Sequence, residues 1–234
     1  MIYNKFNKFN FQYYLSNLLK INGDPFKDQQ ILNKQPEVIF DCGANVGDIT
    51  KIYTKLFPNA HIYAFEPFQD SFLKLKKRFT NETKVMVVNK AIAEFSKVND
   101  FYVYEDTTCN SLFEASIERD SYGILKLKSK ISVDAITLDE FCSNESINNI
   151  DILKMDIEGG ELLALKGSRS LLEREKIKMI YTEVMFAHHF NKGVLFSQIN
   201  DFLTGFGFSI YNIYNLKRAF DGQLRRADIL FVKK

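Results

Sequence analysis

Four acidic residues, Asp41, Glu66, Asp156 and Glu183, stand at the carboxyl ends of short apolar runs. A carboxylate there can accept hydrogen bonds from a diol, hold a cation or take up a proton. Asp41 opens the run Asp41-Cys42-Gly43-Ala44-Asn45-Val46-Gly47. A strand, a glycine turn and then a helix is a general device for presenting free backbone N–H groups to a ligand.

The spacing narrows the ligand. A dinucleotide fingerprint requires G-x-G-x-x-G. Counted from Gly43, those positions hold Gly43, Asn45 and Asp48, and Asp48 would lie beside a pyrophosphate. A phosphate-binding P-loop would need Gly-Lys-Ser/Thr, which is absent. Gly43 and Gly47 are expected to let the backbone approach the ligand with no side chain between. Asp41 is suited to accept from an ammonium or to hold the loop amides, with Ala44 and Asn45 completing the cradle. Such an acidic loop fits S-adenosylmethionine, which carries an amino-acid head, a ribose and a sulfonium, better than any phosphate. Glu66 follows Gly43 by 23 positions and precedes Pro67, where it can take both ribose hydroxyls. The alternative is a simple helix cap after Pro67. Asn89-Lys90-Ala91-Ile92 ends a third strand, and Ala91 is expected to flank the adenine.

The run Asp151 to Glu161 is the most unusual in the chain. Strand alternation places Lys154, Asp156 and Glu158 on one face. A lysine in a buried strand needs a partner. A structural pair with Asp41 or Glu183 stands against a functional reading in which Lys154 tunes a carboxylate or orients the acceptor. Methyl transfer to a protonated acceptor needs alignment and an outlet for the acceptor's proton. Asp156 and Glu183 are the candidate general bases, with Asp156 also beside the cofactor. His188 and His189 follow at a distance that permits a role, and His188 is taken as an acceptor contact, although packing between Phe186 and Phe190 explains them as well. Asn110 and Ser111 are further candidates to line the acceptor pocket, against a simple loop turn. A divalent cation on Asp156, Glu158 and Glu183 is a third route, but nothing in the sequence demands it, and no metal is expected.

These residues must be positioned by the elements around them. From Glu37 onward short strands alternate with helices, the pattern of a parallel sheet. Strands are expected over Val38–Asp41, His61–Phe65, Val85–Val88, Ile150–Met155 and Lys178–Thr182. Helices are expected to Leu56, over Ser71–Phe79, after Thr137, over Glu161–Glu175 and over Phe196–Phe202. Between Phe101 and Ile136 the rhythm is lost, with extra strands at Phe101–Tyr104 and Lys130–Val133. Ser209–Tyr214 and Asp228–Val232 read as a closing antiparallel hairpin. Residues 1–35 are Phe-, Tyr- and Asn-rich, with Phe11, Tyr14, Leu15, Leu18 and Leu19 at helical spacing before the break at Gly23-Asp24-Pro25. They read as an N-terminal cap or lid on a domain spanning 36–234.

The 234 residues, 46% of them apolar, suffice for one α/β domain, and a net charge of +2 argues against a nucleic-acid partner. Three cysteines without CxxC spacing point to reduced thiols in a cytoplasmic protein. No apolar run approaches a membrane span. The aromatic N-terminus suits a homodimer contact as well as a cover for the cofactor.

The segments VIFDCGANVGDIT, IYAFEP, NKAIAE, Asn110-Ser111-Leu112, ITLDEF, IDILKMDIEGGELLALKG and MIYTEV run in order from Val38 to Val184. In these the chain resembles the FkbM family of S-adenosylmethionine-dependent methyltransferases. The resemblance implies a Rossmann-like class I α/β fold, a seven-stranded, mostly parallel sheet flanked by helices, of order 3-2-1-4-5-7-6 with the last strand antiparallel. It also implies O-methyl transfer, with a sugar hydroxyl of a polysaccharide or glycoconjugate as the leading acceptor. A small secondary metabolite or lipid is the alternative acceptor, and a noncatalytic cofactor-binding module the alternative class.

Overall fold

A computed structural model describes residues 23–115, 126–191 and 193–233. The helix expected over Phe11 to Leu19 lies outside them. The described chain opens with α1 (Pro25–Leu32), followed by β1 (Val38–Cys42), α2 (Asp48–Leu56), β2 (His61–Phe65), α3 (Gln69–Arg78) and β3 (Val85–Val88). A second group comprises β4 (Ala91–Ile92), β5 (Val98–Tyr104) and β6 (Leu127–Ile136). Then come α4 (Leu138–Asn144), β7 (Ile150–Met155), α5 (Glu161–Lys166), α6 (Arg169–Glu173), β8 (Ile177–Met185), α7 (Phe196–Thr204), β9 (Phe208–Arg218) and β10 (Leu224–Lys233).

The central sheet has the order β3-β2-β1-β7-β8-β10-β9. Counted within this sheet alone that is 3-2-1-4-5-7-6, as expected, with β10 antiparallel to both neighbours. The strands β1 and β7 sit at its centre, and every residue of β7 is buried. That is the signature of a parallel strand covered on both faces. Phe40, Leu153 and Ile180 feed one apolar layer, and Ile39, Ile152 and Met179 the other. Each fully buried side chain of this kind contributes roughly 1.5–3 kcal/mol.

The irregular segment forms a three-stranded sheet of order β4-β6-β5, more regular than the sequence pattern implied. Thr137 caps α4, its hydroxyl accepting from Glu140 N at 3.0 Å. The single helix expected over Glu161–Glu175 is instead two. They meet at Gly167, where only glycine fits because a Cβ there would lie 2.2 Å from the Ala93 carbonyl oxygen. The second helix restarts where the Asp139 carboxylate accepts from Ser170 N at 2.8 Å and Leu171 N at 2.9 Å.

The described part of the N-terminal extension packs away from the carboxyl ends of the strands. Phe26 lies edge-on to Tyr53 and Tyr181, and Asn33 donates to Asp151 at the start of β7.

Candidate active site

The carboxyl ends of β1, β2 and β7 form a cleft open to solvent. Gly43, Asn45, Glu66, Pro67, Ala91, Asn110, Asp156 and Glu158 line it, with Ile92, Phe101 and Leu112 as an apolar wall. Thr107, Thr108 and Lys90, which carry no sequence signal of their own, complete the rim.

The glycine loop is built against its neighbours. Gly43 N and Ala44 N donate to the Phe65 carbonyl at 3.0 and 2.9 Å, and Gly47 N donates to Ala44 O at 2.7 Å. Gly43 has φ +77°, and a Cβ on it would fall 1.9 Å from the Asp156 carbonyl oxygen. Gly47 has φ +88°, and a Cβ there would strike Phe79 and Leu75 at 2.4 and 2.6 Å. Both glycines therefore serve protein packing, of the loop on Asp156 and on α3. The expectation that they bare the backbone to the ligand is corrected for Gly47, which with Ala44 lies outside the lining.

Asp41 and Lys154 are also behind the wall. They are register partners on adjacent parallel strands, which explains their pairing. Lys154 Nζ lies 2.9 Å from Asp41 Oδ1 and donates to the carbonyls of Cys42 and Gly43 at 3.3 and 3.1 Å. Burial alone would lower the lysine's pKa, but Asp41 and then Asp156 outweigh it and raise it. Thr50 Oγ1 donates to the other Asp41 oxygen at 2.6 Å. Lys154 is thus committed to the loop, the structural member of the two readings, and its ammonium does not line the cleft.

Glu66 sits just past the end of β2 and lines the cleft. Its two oxygens accept from Asn45 N at 2.8 Å and Phe68 N at 2.9 Å, leaving lone pairs for a diol. Burial pushes its carboxyl up to about 7, against the pull of those N–H groups and of Lys154.

The strand β7 ends at Met155, so Lys154, Asp156 and Glu158 do not share a strand face. Asp156 and Glu158 lie in a tight turn, with φ +51° at Glu158 and +93° at Gly159. Glu161 fastens it, accepting from Ile157 N at 3.0 Å. Ser111 fastens it from the other side, its hydroxyl donating to Glu158 O at 2.7 Å and accepting from Phe113 N at 2.9 Å. Ser111 is wholly buried and holds this turn rather than lining the acceptor pocket. Asn110 does line the cleft. Its Oδ1 accepts from Tyr104 N at 2.9 Å, while its Nδ2 is buried without a hydrogen-bond partner. His188 is exposed and lies outside the cleft lining.

Asp156, Glu158 and Glu183 bring carboxylate oxygens within 4.8 Å of one another. Asp156 is exposed to the cleft, whereas Glu183, at the end of β8, is buried behind it. Burial, and then repulsion from Asp156, pushes the carboxyls of Glu158 and Glu183 well above their ordinary range. Sequence reasoning missed the cation that joins them. Arg226 on β10 places Nη1 2.9 Å from Glu183 Oε1 and 3.7 Å from Glu158 Oε1. The only trace of it in the sequence is the Arg225-Arg226 pair at the head of the strand.

These residues fit S-adenosylmethionine. The cleft is acidic and suits a cation, and Glu66 suits a vicinal diol. Asn45 Oδ1 and Asn110 Nδ2 are a buried acceptor and donor that have no protein partner. An apolar wall suits a purine.

Residues 41–210 match the family described as the methyltransferase FkbM domain, and the chain belongs to that family. It is 26% identical over 160 residues to the 2-O-methyltransferase NoeI of Sinorhizobium fredii, covering 65% of each protein. It is 23% identical over 141 residues to the hexuronic acid methyltransferase AglP of Haloferax volcanii, covering 60% of this chain and 53% of that one. The chain therefore spans between half and two-thirds of these relatives. An rRNA methylase from Streptococcus thermophilus shares the fold, with a TM-score of 0.51 and 9% identity over 90% of this chain and 97% of that one.

Proposed function

We propose that the protein is an S-adenosylmethionine-dependent O-methyltransferase whose acceptor is a sugar hydroxyl. The observation that carries the reading is that Asp156 and Glu158 share one cleft with Glu66. A site for a ribose diol and the exposed carboxylate of Asp156 thus open into the same space. The sugar class is supported by the names of the two relatives, one a 2-O-methyltransferase and the other acting on a hexuronic acid.

When bound, S-adenosylmethionine supplies a methyl group on a sulfonium, which leaves as a neutral thioether. Glu66 would hold the ribose, with Gly43 and Asn45 forming the loop side of the same cleft. Asp156 meets the acceptor hydroxyl and takes its proton as the new O–CH₃ bond forms. Glu183 stands behind it, held by Arg226 at 2.9 Å. General-base assistance of this kind is worth about 10²–10⁴-fold in rate.

The test is incubation of the full chain with isotopically labelled S-adenosylmethionine and a panel of saccharides, nucleotide sugars, lipid-linked sugars and phenols, with products identified by mass. Methylation of a sugar hydroxyl, lost in Asp156→Asn with cofactor binding retained, is expected. Transfer only to phenols or lipids would replace the sugar reading. Cofactor binding without transfer to any acceptor would favour a binding module.

A further inference from the structure

We propose that the turn between β9 and β10 docks on an anionic lipid surface: Phe220 enters the bilayer interface while Lys217, Arg218 and Arg225 meet its phosphates, beside the mouth of the cleft. The docking stands apart from the proposed reaction. Its use, which is to bring sugars carried on lipids to the cleft, rests on that reading.

The exposure of Phe220 is the first observation. This ring is 98% exposed, against at most 62% for any other large apolar residue of the described chain. The backbone holds it there. Gly222 N donates to Ala219 O at 2.9 Å, which closes a turn with Phe220 at its second position, and Ala219 N donates to Gln223 O at 2.8 Å. Gly222 takes φ +87°, the left-handed residue that completes a short hairpin loop. Arg218 Nη1 donates to Gly222 O at 3.0 Å, and Gln223 N to Asp221 Oδ1 at 2.9 Å. A turn braced in this way keeps an apolar ring in water, which is unfavourable until something covers it.

Position is the second. The strand β10 is antiparallel to β8, so its beginning arrives at the carboxyl edge of the sheet, with Arg226 opposite Met185. One bond beyond that pair, Phe186 N donates to Arg225 O at 2.7 Å, and residues 220–223 are all exposed. The hairpin therefore overhangs the edge that carries the cleft. Arg226 Nη1 lies 3.7 Å from Glu158 Oε1, and Glu158 lines the cleft. The pairing of β10 with β9 shifts register between Leu224 and Arg226 and again between Arg226 and Asp228. Irregularities of this type bend and twist a strand pair, here just before its tip.

Charge is the third. From Lys217 to Arg225 three cations stand with one acid, Asp221. Lys217 and Arg218 are exposed, and Arg225 is half-buried. An aromatic tip among cations is complementary to an anionic interface, where the ring sinks below the headgroups and the cations stay with the phosphates. A soluble polyanion would engage the cations and leave the ring in water. A folded protein partner would need about 800 Å² from each side, which a turn of five residues does not present.

The experiment needs no acceptor. The full chain is sedimented with vesicles of phosphatidylcholine, alone or mixed with phosphatidylglycerol, at low and high salt, as wild type, Phe220→Ser and Lys217→Glu. S-adenosylmethionine affinity, followed by calorimetry, should not change in either variant, because neither residue lines the cleft. Binding to the anionic vesicles is expected, weakened by salt. Phe220→Ser should lower it by about tenfold or more, and Lys217→Glu by at least about fivefold. No binding to anionic vesicles overturns the proposal, as does binding that both variants retain. Equal binding to phosphatidylcholine alone overturns it too, since the cations then play no part. A dimer lost in Phe220→Ser, without vesicle binding, would overturn it by assigning the tip to a second copy. Vesicle binding without methylation of any saccharide would keep the docking and remove the proposed function, whereas the reverse result would keep the function and remove the docking.

Discussion

Asp41 and Lys154 face each other across adjacent strands at the centre of the sheet, their charged atoms 2.9 Å apart and both side chains buried. The pair links the first strand to the glycine loop, because the same ammonium also binds the Cys42 and Gly43 carbonyls. Removing one member strands the other. Lys154→Met is expected to cost about 3–5 kcal/mol, read as a loss of denaturation midpoint, and to abolish cofactor binding. The double variant with Asp41→Asn should lose less than the sum of the two single changes. Normal cofactor affinity with a collapsed turnover in Lys154→Met would instead mark Lys154 as catalytic.

Glu66 makes cofactor affinity depend on pH. In the free protein burial holds its carboxyl near pH 7, above the 4.5 of an unperturbed glutamate. The fold therefore favours the neutral form. That contribution to stability is complete below about 4.5 and is lost as pH rises through about 7. Binding runs the opposite way, since a diol is best held by the carboxylate. The dissociation constant should rise as pH falls below 7, by up to about tenfold per unit. Calorimetry over pH 5.5–8.5 checks this, and in Glu66→Gln the affinity should be weak and flat. An equal slope in that variant would assign the effect to another group.

Gly43→Ala should destroy the cleft, since its Cβ would overlap the Asp156 carbonyl and its φ of +77° disfavours a side chain. Gly222→Ala is the matched control, with a similar φ of +87° but open space around it. The control should cost about 1–2 kcal/mol from backbone strain alone. Gly43→Ala should cost more and abolish cofactor binding. Equal melting temperatures in the two variants would show that the packing contact is unimportant.

Ser111→Ala removes the bond from Ser111 to the Glu158 carbonyl that holds the turn, and with it the local bond from Phe113 N. Loss of these buried bonds should cost about 1–3 kcal/mol. Turnover should fall several-fold more than cofactor affinity, because the loosened element carries Asp156 and Glu158 while Glu66 is untouched. Wild-type kinetics would show that the turn holds itself.

Much of this was legible in the residues. The strands His61–Phe65, Val85–Val88 and Ile150–Met155 match their expected limits because each ends in charged or small residues beyond an apolar run. Glu66 was legible for the same reason. What each position faces was not: Gly47, Ser111 and Lys154 each face protein where spacing allowed a ligand. The alternation argument failed at Asp156 because a positive φ at Glu158, in a non-glycine residue, leaves no mark in hydrophobic periodicity. Arg226 was hidden by distance, since it reaches Glu183 from 43 residues away along a strand whose irregular register no pattern announces. The split of the helix at Gly167-Ser168 was written in the sequence but needed the Ala93 carbonyl to explain it.

The uneven pairing of β9 and β10 has a second consequence. The strand β9 closes the sheet, and among the described residues no strand pairs with its outer edge. Ile210 and Tyr211 are exposed there, the composition of a strand that could recruit another chain. A straight, flat edge of eleven residues would be a template for self-association. The register shifts, and the positive φ of Asn215, twist it out of that form. Variants that straighten the hairpin would thus be expected to precipitate before they unfold.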